Sequence, residues 1–153
     1  MTDRSYDSGV SSPHDFVLYS PHGDVRMVVE AKGRAVVDTT WATQLRANLI
    51  EGERLSEATP FLLVTQAALY FWNGGAPSSE MPSIESAKNG LAPYLSRAGI
   101  ATREWIDPDV LELVVAAWLR DLSEGATKLD ESLAGSALPA LLVGARIVSP
   151  AAA

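Results

Sequence analysis

A chain of 153 residues with formal net charge −7 and a pI of about 4.7 is the length of one domain. It lacks the overall positive charge that grips nucleic acid non-specifically. The absence of cysteine excludes disulfides, thiolate metal sites and a cysteine nucleophile.

A hydrophobic fraction of 47% with four Trp and four Tyr supplies a core and argues against a disordered chain. Residues 1–12, rich in Ser, Asp and Gly, read as a flexible lead-in. The start has no apolar core of a signal peptide. No apolar run approaches the ~18 residues of a membrane span. The expectation is a soluble, cytoplasmic protein with no membrane partner.

Asp15 to Tyr19 (DFVLY) reads as a strand rich in aromatic and β-branched residues. Ser20-Pro21-His22-Gly23 is a turn. Val25 to Glu30 (VRMVVE) completes a hairpin. Its continuous apolar run predicts burial on both faces and a central place in the sheet. After a link over Gly33–Val37, Asp38, Thr39 or Thr40 caps a helix. Trp41, Leu45 and Leu49 form its buried face, and Gly52 is its stop.

Pro60 leads into the strand FLLVTQ, and AALYFW (Ala67–Trp72) follows as its hairpin partner. Residues 73–83 are the clearest loop. The segment Leu91–Ala98 reads as a short helix or turn-rich segment. Asp107 caps a stronger helix with Pro108 at its first position and Gly125 at its end. Val110, Leu111, Val114, Ala117, Trp118 and Leu122 make its apolar stripe, which covers the sheet or forms a dimer seam. Ser132 to Leu142 reads as a further helix, and GARIVSP as a short edge strand.

The division is a lead (1–12), an α/β core (13–72), a loop (73–88) and a C-terminal helical cover (89–153). The class is α/β: a small mixed sheet covered by helices.

The chemistry gathers in Asp15 to Lys32. Asp15 and Glu30 fall at the ends of neighbouring strands, and Lys32, two positions after Glu30, shares its face. Mg²⁺ takes hard oxygen ligands, commonly one or two carboxylates with waters and phosphate. Asp15, Glu30 and the Ala31 carbonyl are such a set, and Lys32 is placed to serve the attacking water.

Several other residues read more plainly. His14 and His22 have no third His or Cys nearby and read as exposed turn residues. Trp41 and Trp118 read as core. Arg26, Lys32, Arg34 and Arg46 are a candidate local basic cluster facing a phosphate backbone. Phosphate loops and GxSxG are absent.

Asp15, fourteen further residues, then Glu30-Ala31-Lys32 resembles the motif of the PD-(D/E)XK nuclease superfamily. The run from DFVLY through VVEAK resembles the N-terminal nuclease region of type I restriction enzyme motor subunits. It also resembles small uncharacterised stand-alone bacterial proteins. The resemblance covers roughly residues 13–72.

It implies a restriction-endonuclease-like core of helix, three strands, helix and strand. Asp15 would begin the second core strand, Glu30 and Lys32 would end the third, and residues 40–51 would be the second helix. It places Gln44 near the lysine, to orient it or touch a phosphate. It further implies Mg²⁺ or Mn²⁺ as cofactor, DNA as substrate and a role in defence or repair.

The chain departs from the pattern at two places. His14 stands between Pro13 and Asp15, and only fourteen residues precede Asp15. The core is therefore N-terminally abbreviated, without the usual first helix and strand. A homodimer or partner protein completing the site is one consequence. A catalytically inactive interaction or scaffold protein on the same fold is the alternative. An unrelated α/β binding module, with Asp15 and Glu30 far apart, is the other.

Overall fold

The computed structural model describes residues 14–33, 38–87, 90–100, 106–127, 129 and 135–149. The expected lead-in at 1–12, most of the link after Gly33 and the start of the helix expected from Ser132 lie outside them. In chain order the elements are β1 (Phe16–Tyr19), β2 (Val25–Lys32), α1 (Thr39–Glu51), β3 (Phe61–Thr65), β4 (Ala68–Trp72) and β5 (Ser83–Ser86). Then come α2 (Ala92–Arg97), α3 (Pro108–Glu124), α4 (Leu138–Leu142) and β6 (Arg146–Val148).

The strands form one six-stranded sheet in the order β5-β4-β3-β2-β1-β6. Neighbours run antiparallel except β2 and β3, which are parallel, with Glu30 opposite Leu63 and Lys32 opposite Thr65. A parallel pair needs a crossover, and α1 supplies it. Five of the strands follow the expected segments. β5 does not: SIES sits where the loop reading continued, and its register on β4 (Tyr70 opposite Ile84) makes it a strand. Pairing with an established edge overrides a sequence of weak β propensity.

Side-chain alternation divides the core in two. Phe16, Leu18, Met27, Val29, Leu62, Val64, Leu69 and Phe71 face the helix α3, which contributes Leu111, Val115, Trp118 and Leu119. Val28, Phe61, Leu63, Tyr70 and Trp72 face α1. Glu30 and Lys32, in step with Val28, fall on the α1 face.

The helix ends follow capping rules. Asp38 accepts from the Trp41 N–H at 2.8 Å, and Asp107 accepts from the Asp109 N–H at 2.9 Å. Gly125, at φ 76°, closes α3 in the left-handed conformation. Val110 remains partly exposed on α3, and the deeper positions are Val115 and Leu119.

The helix α1 departs from its expected stripe. Trp41, Leu45 and Leu49 are half-buried, and the fully buried positions are Ala42 and Arg46. The Arg46 guanidinium donates to the carbonyls of Ala76 (2.7 Å) and Pro77 (2.9 Å) and lies 5.5 Å from the centre of the Trp72 ring. It pins the 73–82 loop to the sheet. Burial pushes its pKa down, against the opposing pull of Glu57 and Glu80.

Removing these charge-assisted bonds and leaving a cavity should cost about 3 kcal/mol in Arg46→Ala. Urea denaturation reads this directly, and a loss under about 1 kcal/mol would contradict the assigned role. In the same loop, a Cβ on Gly74 would meet the Ala58 carbonyl oxygen at 2.5 Å. Gly74→Ala should therefore lower the melting temperature, whereas Gly135, whose Cβ would meet nothing within 4 Å, should accept Ala with little change.

Candidate functional site

The site is built by the end of the β1–β2 hairpin. Phe16 pairs with Val29, so the antiparallel register brings Asp15, the residue before β1, to the level of Glu30, within side-chain reach of Ala31. Asp15 is held there: its Oδ2 accepts the Ala31 N–H at 2.7 Å. The N–H and C=O of one strand residue point to the same side, so the Ala31 carbonyl points to the β1 side of the strand, as its N–H does. One strand step away on each side, Glu30 and Lys32 meet on the α1 face, with Nζ 3.7 Å from Oε1. Glu30 is 3% exposed, while Lys32 is half-exposed.

His14 does not sit in an exposed turn. It is buried, with Nδ1 2.7 Å from Glu30 Oε2 and Nε2 2.6 Å from the Arg54 carbonyl oxygen. The turn after α1 creates this pocket. It is closed by hydrogen bonds from the Gly52 N–H to Asn48 and from the Arg54 and Leu55 N–H groups to Leu49. His22 is exposed, as expected.

The electrostatics add a residue that the sequence reading missed. Burial is the largest cause pushing the Asp15 carboxyl above its ordinary range. The Ala31 N–H opposes it, Glu30 adds to it, and Lys32 and His14 oppose it. Glu112, on α3, is also pushed up, by burial first and then by Asp15, Asp109 and Glu30.

The start of α3 reaches this end of β2, since a Cβ on Gly33 would lie 3.0 Å from the Ile106 carbonyl oxygen. Glu112 precedes the buried Val115 and Leu119 by three and seven residues. A carboxylate on a helix face otherwise bound for the core was the available signal.

Other expected members stand elsewhere. Gln44 is exposed and donates to Asn48 Oδ1 at 2.8 Å. Asn48, one helical turn on, is the residue that lines a groove of about 400 Å³ with Glu30, Lys32 and Arg54. The proposed basic cluster does not form among the described residues. Arg46 is buried under the 73–82 loop, Arg26 donates to the Val143 carbonyl at 2.7 Å, and Arg34 lies outside the described residues.

The donor set can be weighed against a divalent cation. Among the described residues no three His, Cys, Asp or Glu side chains converge as a metal-holding group. Asp15 and Glu30 each have one oxygen engaged, by Ala31 and His14 respectively. What remains is one oxygen from each carboxylate and the Ala31 carbonyl. These are hard oxygen donors, the type Mg²⁺ takes together with water, and they lack the nitrogen and sulfur donors of a closed zinc site.

No family model matches the chain, and neither does any curated protein or solved structure.

The raised carboxyls have a consequence for stability. With a raised pKa, the folded state holds more protons than the unfolded state between the ordinary and the raised value. Stability therefore falls as pH rises through that window. Asp15→Asn keeps an oxygen for the Ala31 N–H and removes the charge. It should raise the melting temperature at neutral pH, with the gain fading as pH falls toward the ordinary carboxyl range. Thermal melts across pH check this; a lower melting temperature at neutral pH would contradict it.

Proposed function

We propose that this protein hydrolyses phosphodiester bonds of DNA with the help of Mg²⁺ or Mn²⁺. The observation that carries the reading is the joint placement of three groups at one strand end. Asp15 is pinned to the Ala31 N–H, and Glu30 stands beside Lys32 on the wall of an open groove. Asp15, Glu30 and the Ala31 carbonyl would hold the cation. When bound, it supplies charge neutralisation at a non-bridging phosphate oxygen and a more acidic water.

The chain's own residues do the rest. Lys32, half-exposed and anchored near Glu30, orients the attacking water and meets the negative charge that develops on the phosphate oxygens. Asn48 and Arg54, across the groove, contact the phosphate on the side away from Asp15. Gln44 supports this wall by holding Asn48.

The topology supports a restriction-endonuclease-like core. It has an antiparallel hairpin, a crossover helix and a parallel strand, with the acids and lysine at the carboxyl end of the central strand. The edge of β1 where a preceding strand would pair is taken by the C-terminal β6. A net charge of −7 favours a module that draws DNA affinity from a second copy or a partner protein, in the cytoplasm.

A second reading is a catalytically inactive scaffold on this fold. The burial of Glu30 under His14 favours it. The two readings part on one assay, cleavage of plasmid and single-stranded DNA with Mg²⁺ or Mn²⁺. The expected result is cleavage by the unsubstituted protein, reduced about 100-fold or more in Lys32→Ala. Absence of cleavage together with absence of cation binding by calorimetry would establish the scaffold reading.

A further inference from the structure

We propose that His14 is a positioning residue. It fixes the Glu30 carboxylate against the turn that follows α1, so that a single oxygen, Oε1, faces Lys32 and the groove. The use made of that oxygen rests on the phosphodiesterase reading; the positioning itself does not.

The imidazole has two nitrogens directed to opposite sides of the ring, and each meets an oxygen. Nε2–H donates to the Arg54 carbonyl at 2.6 Å, and Nδ1 shares a hydrogen bond with Glu30 Oε2 at 2.7 Å. A backbone carbonyl only accepts, which sets the direction of the first bond. The Arg54 carbonyl is itself fixed, because the Arg54 and Leu55 N–H groups both return to the Leu49 carbonyl. His14 is therefore a strut between a rigid turn and a carboxylate.

Glu30 needs such a strut. It is 3% exposed, and Lys32 reaches only Oε1, at 3.7 Å. Without His14, Oε2 would lose its hydrogen bond inside the protein. Partners behind a ligating carboxylate orient it, and losing one typically weakens metal binding 10- to 100-fold.

The geometry allows the two bonds to be separated. Asn places its amide nitrogen where Nδ1 stands, and Gln places its own near Nε2. His14→Asn keeps a hydrogen-bond partner for Glu30; His14→Gln keeps the donor to Arg54. Both keep a polar side chain of similar size.

The test uses the full chain with ¹³C-labelled glutamate. The Glu30 carboxyl resonance is recorded without metal, the Mn²⁺ affinity is measured by calorimetry, and thermal melts are run alongside. The expected result is that His14→Gln moves the Glu30 signal and weakens Mn²⁺ binding about tenfold or more. His14→Asn should restore both, with similar melting temperatures for the two variants.

An unmoved Glu30 signal in His14→Gln would overturn the proposal. So would equal disturbance by both variants, or unchanged Mn²⁺ affinity in His14→Gln. If the unsubstituted protein takes up no Mn²⁺ while the Glu30 signal follows the expected pattern, the positioning role stands and the phosphodiesterase reading falls. Should neither variant fold, the unsubstituted protein decides. An Nε2–H resonance of His14 protected from exchange supports the strut, and its absence overturns it.

Discussion

A carboxylate buried at the end of the central strand is the constraint around which this structure is arranged. Glu30 sits 3% exposed near the end of β2, opposite Leu63 of β3. A charge in that position is tolerated only with compensation close by. The compensation comes from three directions: Lys32 along the strand, His14 from the chain before β1, and the turn after α1 through the Arg54 carbonyl. Each of these is an end of an element, so the burial of one carboxylate ties together the hairpin, the crossover helix and their connections.

The same region carries opposing costs. Asp15 and Glu112 stand near Glu30: burial pushes both carboxyls upward, Glu30 adds to each, and Asp15 adds to Glu112. Unfavourable charge is thus concentrated at one strand end, with Lys32 among the acids. The rest of the fold is well able to bear it. Two hydrophobic layers, one under α1 and one under α3, cover both faces of the sheet.

Much of this was readable from the residues. DFVLY, VRMVVE, FLLVTQ and AALYFW carry continuous apolar runs that only a sheet covered on both sides can bury. Asp107, Pro108 and Gly125 mark α3 at both ends. The proximity of Asp15 to Ala31 and of Glu30 to Lys32 followed from a hairpin with a short turn. Long-range partners were less legible. His14 lies 40 residues from its Arg54 acceptor, and nothing local in Pro-His-Asp indicates burial. Arg46 looked like a surface cation because arginine usually is one. Its partners are backbone carbonyls of a loop, which have no sequence signature. Gln44 and Asn48 share a helix face, and which of them meets the groove depends on where α1 ends.

The position of β6 bears on how the protein forms. The strand β1 has β2 on one side and β6 on the other, yet β6 spans residues 146–148. During synthesis, the hairpin and the crossover unit leave the ribosome well before either β6 or α3. Until those arrive, β1 presents an open edge and the α3-facing layer of the sheet lies uncovered, the kind of surface that recruits chaperones or mispairs. Glu112 also joins Asp15 only at this late stage. A nascent chain released early would thus hold the hairpin acids and the lysine without the helix that shields them.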